Sequence, residues 1–233
     1  MTNKNSSHTA EVVLVVSAHT DDETLGVGGT IAKHVKQGHR VYGISMTDGV
    51  GARDDQISER IKIRKQASIN AAAILGMEWI EGGNFPDNAM DTVPLLSVTK
   101  MIEQVKNKVR PTIIYTHSPA DLNIDHRVVA QATLTAFRPQ PNEIWKEIRA
   151  FEIASATDYG QMDVTAAFMP NLSVCIEETW PMKLKALMEY KEEMREAPHS
   201  RSLEGLENLA KYRGNQVGLK MAEAFQVLRK IER

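Results

Sequence analysis

A single cysteine, Cys175, stands in 233 residues. That excludes an internal disulfide framework and any zinc module built from cysteines. Metal chemistry in this chain must therefore draw on histidine and carboxylates. Charge of one sign is also scarce: 28 lysines and arginines face 30 aspartates and glutamates, a formal −2. Such a balance gives no reason for a polyanion to bind, so nucleic acid is not an expected partner. No apolar run approaches the roughly 20 residues of a bilayer crossing. The opening "MTNKNSSHTAE" is polar and lacks a basic region followed by an apolar stretch. A cytoplasmic protein without an integral membrane segment is the expectation. Repeats and low-complexity segments are missing too. The 42% hydrophobic and 25% charged content then suits one ordinary globular domain. We assign residues 11–233 to it, preceded by a flexible tail over residues 1–10.

The pattern along the chain alternates strand and helix. "EVVLVVSA" is β-branched and apolar on both faces, which suits a buried parallel strand. A helix is expected from Gly28 to Gln37, stopped by Gly38, then a strand over "RVYGISMT" and a loop over "DGVGARDDQ". The next helix starts at a Ser58 cap and ends at Gly76. A brief strand and a long loop lead to a helix over Leu95 to Val109, with Met101, Ile102 and Val105 as core. "TIIYTH" is a strand, and a helix follows from Asp125 to Phe137. "PQPNE" is a connector, and "IRAFEIASA" and "LSVCIEE" read as strands. Helices are expected over Met182 to Glu196 and Leu203 to Tyr212, whereas "MAEAFQVLRK" fits helix or strand. This rhythm predicts an α/β, Rossmann-like three-layer fold around a mainly parallel sheet.

Ligands of open parallel sheets lie beyond the carboxyl ends of the strands. Two strand ends here carry metal-ligand types: "SAHTDDE", with His19, Asp21, Asp22 and Glu23, and "THSPADLNIDHR", with His117, Asp121, Asp125 and His126. Two histidines and a carboxylate make a catalytic zinc set, leaving a position open for a water whose pKa falls to about 7. A carboxylate beside that water can take its proton, a route to hydrolysing an unreactive amide. Each motif alone has a plainer reading. "DDE" suits the acidic first turn of a helix, and Asp125 suits a cap. Gly28 and Gly29 lack the spacing of a dinucleotide fingerprint and fit close helix packing better. His34 and His39 flank a helix end and read as exposed. Asp87 reads as ordering its loop.

"SAHTDDETLGVGGTIAKH", followed by "THSPADLNIDHR", resembles the PIG-L/LmbE-like zinc N-deacetylases. "TDGVGAR", "NFPDNAMD" and a C-terminal "HSRS…RG…AEAF" extend the likeness from Val12 to about Phe225. The resemblance implies a Rossmann-like fold and removal of an acetyl group from N-acetylglucosamine within a larger molecule. It implies His19, Asp22 and His126 as zinc ligands, with Fe2+ or Co2+ able to substitute. Asp21 would be the general base and the later acid, and Asp125 would orient a catalytic or ligand side chain. Arg53 matches an arginine that reaches substrate, and His199 and Arg201 match a segment near the substrate opening. Thr20 replaces the motif's proline. Asn123 replaces a histidine that stabilises the tetrahedral intermediate or donates a proton. An amide can hydrogen-bond an oxyanion but delivers no proton at neutral pH. Either Asp21 carries all proton transfer, or His117 takes the missing part.

The expected partner is thus a small N-acetylated sugar or conjugate. Relatives often assemble, and the C-terminal helices could supply a homo-oligomer interface. Two other readings stay open: the same chemistry on a non-sugar amide, such as a thiol conjugate or antibiotic intermediate, and a carbohydrate or nucleotide-sugar binder that has lost catalysis.

Overall fold

The computed structural model describes residues 10–47, 57–160 and 167–232. Of the expected tail only Ala10 falls within them, and the loop bearing Arg53 and the side chain of Ser58 lie outside. The first strand, β1 (Val12–Ser17), has Val13 and Val15 in one apolar cluster and Leu14 and Val16 in another. Successive side chains leave a strand on opposite faces. Both faces are therefore covered, as the unbroken apolar run predicted.

Helix α1 (Asp22–Lys36) leads to β2 (Arg40–Ser45), and α2 (Ile57–Leu75) to β3 (Glu78–Trp79). After a 3-10 turn at Met90–Thr92 come α3 (Leu95–Val109), β4 (Ile113–His117), α4 (Ile124–Ala136) and β5 (Glu147–Phe151). The chain then forms β6 (Leu172–Cys175), α5 (Trp180–Glu189), α6 (Leu203–Asn215) and β7 (Ala222–Lys230). The sheet order is β3-β2-β1-β4-β5-β7-β6. The first five strands in that order are parallel, and β7 runs antiparallel to both β5 and β6. Side chains of α1, α2, α5 and α6 fill the cluster on one face, and those of α3 and α4 the other. This is the expected three-layer α/β architecture. Among the described residues no helix is long and apolar enough to cross a membrane.

Several boundaries differ from the sequence expectation. Helix α1 starts at Asp22, not Gly28, and carries its glycines inside it. A Cβ on Gly29 would lie 2.7 Å from Cγ2 of Ile176, so this glycine serves the close helix packing expected of it. Helix α5 starts at Trp180, with Pro181 in its first turn, and ends at Glu189 rather than Glu196. The ambiguous C-terminal segment is a strand, and its Phe225 is fully buried. His34, read as exposed, is also buried: its Nε2 meets the Tyr115 hydroxyl at 2.9 Å and its Nδ1 meets His39 at 2.8 Å.

Candidate metal centre and active site

Strands β1 and β4 are parallel neighbours, with Val15 opposite Tyr115. From β1 the chain moves to β2 and β3 on one side, then returns to β4 and β5 on the other. Such a switch point opens a crevice at the strands' carboxyl ends. The loop after β1 and the loop after β4 meet there. His19 and Asp22 come from the first, and His126 from the first turn of α4.

Nδ1 of His19 lies 3.3 Å from Nε2 of His126. One oxygen of Asp22 is 3.4 Å from the former nitrogen, and the other is 3.5 Å from the latter. Ligand atoms at zinc bond lengths of about 2.0–2.2 Å in a tetrahedron stand roughly 3.3–3.5 Å apart. Donor types and spacing thus fit a zinc ion. The outer nitrogens face carboxylates. Nε2 of His19 is 3.1 Å from Asp125 and 3.2 Å from Asp87, and Nδ1 of His126 is 3.1 Å from Asp121. Protons on those outer nitrogens leave the inner ones as lone-pair donors. Burial alone would raise the Asp22 carboxyl, but the imidazoles of His126 and His117 outweigh it and hold Asp22 well below the usual range. Burial disfavours the His19 cation, yet Asp125, Asp22 and Asp87 lift that histidine well above its ordinary value.

Asp21, the residue before Asp22, is the N-cap of α1 and has a φ of 144°. Its carboxylate meets Arg64 at 3.3 Å and Arg201 at 3.7 Å. Burial raises its pKa, Arg64 pulls it back, and the balance is upward. A raised carboxylate suits a group that must accept a proton near neutral pH. Asn123 caps α4: its Oδ1 accepts the Asp125 N–H at 2.8 Å, which leaves Nδ2 as a donor. Asp125 is fully buried and also accepts the N–H groups of Asn88 and Met90, so its carboxylate is held firmly against His19.

A cavity of about 280 Å³ joins these residues. His19, Asp21, Asp22, Asn123, His126, His199 and Arg201 line it, together with Asp87, Arg64, Tyr159 and Glu193. His117 is not among the lining residues. It is fully buried, its Nε2 accepts the Ala18 N–H at 2.9 Å, and its ring stacks on His126 at 3.9 Å. Burial, with the His126 charge adding to it, lowers its pKa to about 4. Of the two candidates for the missing histidine's role, only Asn123 faces the cavity. Arg53 lies outside the described residues. Asp87, read from sequence as a loop-ordering residue, also contacts His19. Arg64 and Glu193 were not identified from sequence. They sit in charge-rich helical and loop stretches that look like solvated surface, and only the fold brings them to Asp21.

A sequence model of the PIG-L family, described as GlcNAc-PI de-N-acetylase, matches residues 14–137. The chain is 27% identical over 225 residues to a diacetylchitobiose deacetylase of Thermococcus kodakarensis, covering 92% of this chain and 82% of that one. It is 28% identical over 192 residues to an uncharacterized deacetylase, YaiS, of Escherichia coli, covering 80% and 94%. In three dimensions it resembles the N,N'-diacetylchitobiose deacetylase of Pyrococcus horikoshii, with a TM-score of 0.73, 24% identity, and 94% and 84% of the two chains covered. The match spans more than half of the chain and takes in both loops of the site, and on it the protein belongs to the PIG-L family.

Proposed function

We propose that this protein is a zinc-dependent N-deacetylase acting on an N-acetylated amino sugar of the N-acetylglucosamine type, free or conjugated. The products are acetate and a free amine. The observation that carries this reading is Asp21 standing beside the His19–Asp22–His126 set in one polar cavity. Held by those three residues, zinc, or Fe2+ or Co2+ in its place, supplies a Lewis acid for the acetyl carbonyl and the attacking water.

The chain's own groups supply the rest. The Asp21 carboxylate takes a proton from the water as its oxygen bonds to the acetyl carbon. Nδ2 of Asn123 donates to the developing oxyanion. As the carbon–nitrogen bond breaks, the protonated Asp21 returns its proton to the departing amine, so one carboxyl serves both transfers. Asp125 keeps the His19 ring oriented throughout. His199 and Arg201 offer donors to sugar hydroxyls, and Arg53 is assigned to the same task by family resemblance.

The test is a panel of free, disaccharide and conjugated N-acetylglucosamines, with non-sugar acetamides beside them, incubated with zinc-loaded protein, with acetate and amine both quantified. We expect equal amounts of the two from at least one sugar. Release from non-sugar amides alone would move the reading to an amidase. Zinc binding with no release from any member would leave a binding protein on this scaffold.

A further inference from the structure

We infer that Glu23 and Tyr190 are positioning residues for Asp21, an inference that rests on Asp21 being the base proposed above. The starting point is the backbone. A φ of 144° lies in a region that an aspartate enters only when its surroundings hold it there. Here both peptide planes flanking Asp21 are fixed. On the far side, its carbonyl accepts the N–H groups of Thr24 and Leu25 at 3.0 and 2.8 Å. On the near side, the two ends of one peptide unit are gripped separately. The Thr20 carbonyl accepts from Arg64 at 2.8 Å, and the Asp21 N–H donates to Oε2 of Glu23 at 2.9 Å.

Tyr190, just beyond the end of α5, touches both grips. Its hydroxyl donates to Oε1 of Glu23 at 2.8 Å, beside the Thr24 hydroxyl at 2.7 Å. Its ring lies under the Arg64 guanidinium, 5.9 Å from centroid to carbon. Glu23 and Tyr190 are 0% and 2% exposed, and neither lines the cavity. Neither reaches a substrate. Their effect runs through the peptide: with that plane clamped, the Asp21 carboxylate keeps one direction relative to Asp22. Released, the plane would turn towards an ordinary φ and swing the carboxylate with it.

The experiment uses zinc-loaded Tyr190→Phe, Glu23→Gln and Glu23→Leu, with N-acetylglucosamine as the probe. Tyr190→Phe keeps the ring under Arg64 and removes only the hydroxyl. We expect full zinc, KM within about twofold, and kcat lower by roughly tenfold, the scale of a small misplacement of a reacting group. Glu23→Leu removes the acceptor, and kcat should fall roughly a hundredfold. Glu23→Gln retains an oxygen for the Asp21 N–H and should restore near-normal turnover. A second readout is hydrogen exchange at the Asp21 amide in 15N-labelled protein, which should quicken in Tyr190→Phe and Glu23→Leu but not in Glu23→Gln. Unchanged kcat and unchanged exchange at full zinc occupancy in Tyr190→Phe would overturn the inference, whether or not Glu23→Leu folds. If wild type releases no acetate from any sugar of the panel above yet the exchange pattern holds, the proposed function fails and the clamp stands.

Discussion

Asp21 and Asp22 are adjacent in sequence and have opposite electrostatic surroundings. Asp22 faces imidazoles that keep it ionised; Asp21 is pushed up by burial and restrained by Arg64 and Arg201. Separating two carboxylates in this way is how one loop can provide a ligand and a base. Asp21→Asn should therefore keep stoichiometric zinc and lose acetate release by about 10²–10⁴-fold, the range of a general base. Asp22→Ala or His126→Ala should lose the metal itself. Elemental analysis beside the acetate assay separates the two outcomes, and near-normal turnover in Asp21→Asn would remove the base assignment. The carboxylates behind the histidines have a milder effect. Asp125→Asn should weaken zinc roughly 10–100-fold in a chelator competition, because His19 loses its orienting partner. Equal affinity in that competition would show that Asp87, 3.2 Å from the same nitrogen, suffices to orient His19.

Among the elements, α1 and α5 are the two whose bounds the sequence misplaces most. In α1, Gly26, Gly28 and Gly29 within one turn delay the expected start to Gly28, because each glycine costs a helix about 1 kcal/mol. The helix keeps them for tertiary reasons. The Glu223 carboxylate accepts the N–H groups of Gly29 and Thr30 at 2.9 and 2.7 Å, and Lys183 donates to the Leu25 carbonyl at 2.7 Å. Lys183 and Glu223 pair with each other at 2.6 Å, both almost fully buried. An ion pair from α5 and β7 thus reaches the middle of the helix that begins with Asp22. Lys183→Met should destabilise the fold by about 3–5 kcal/mol, since it strands a buried charge. Gly29→Ala, which drives a methyl into Ile176, should cost about 1–3 kcal/mol and be relieved by Ile176→Ala. Urea unfolding measures both, and an additive double variant would refute the proposed clash. Helix α5 is misread for a related reason. Its pattern could run on past Glu189, but Tyr190 and Glu193 are drawn to Glu23 and Arg64 instead.

Over the whole molecule, the layers were legible because β1 and β4, at the centre of the sheet, are apolar on both faces; the order of the strands was not. The choice of His19, Asp22 and His126 as ligands came from the family resemblance, whereas the gathering of metal-ligand types at two strand ends was legible, because metal chemistry restricts residue type and the strand ends restrict place. The clamp on Asp21, the cavity walls and the retreat of His117 were not, since they depend on which side chains the finished fold brings together. His34 shows the same limit. A histidine near a helix end reads as exposed, yet burial, with His39 and Arg149 adding to it, lowers its pKa to about 3 from an ordinary 6.5. The unfolded chain therefore binds this proton first as pH falls. Stability should decline from about pH 6.5 downward, by roughly 2–3 kcal/mol at pH 4.5 from this residue. His34→Gln should remove that share of the decline in urea titrations at pH 7 and 4.5; an identical decline in both proteins would contradict it.

The adjacency of β1 and β4, with about a hundred residues of chain between them, has a consequence for assembly. A chain that has made only its first half owns His19 and Asp22 but has no third arm for the ion. Long-range strand pairing is the slow part of reaching a native topology. Uptake of zinc at full affinity should thus report that β1 and β4 have paired, and a nascent chain short of His126 should let the ion go.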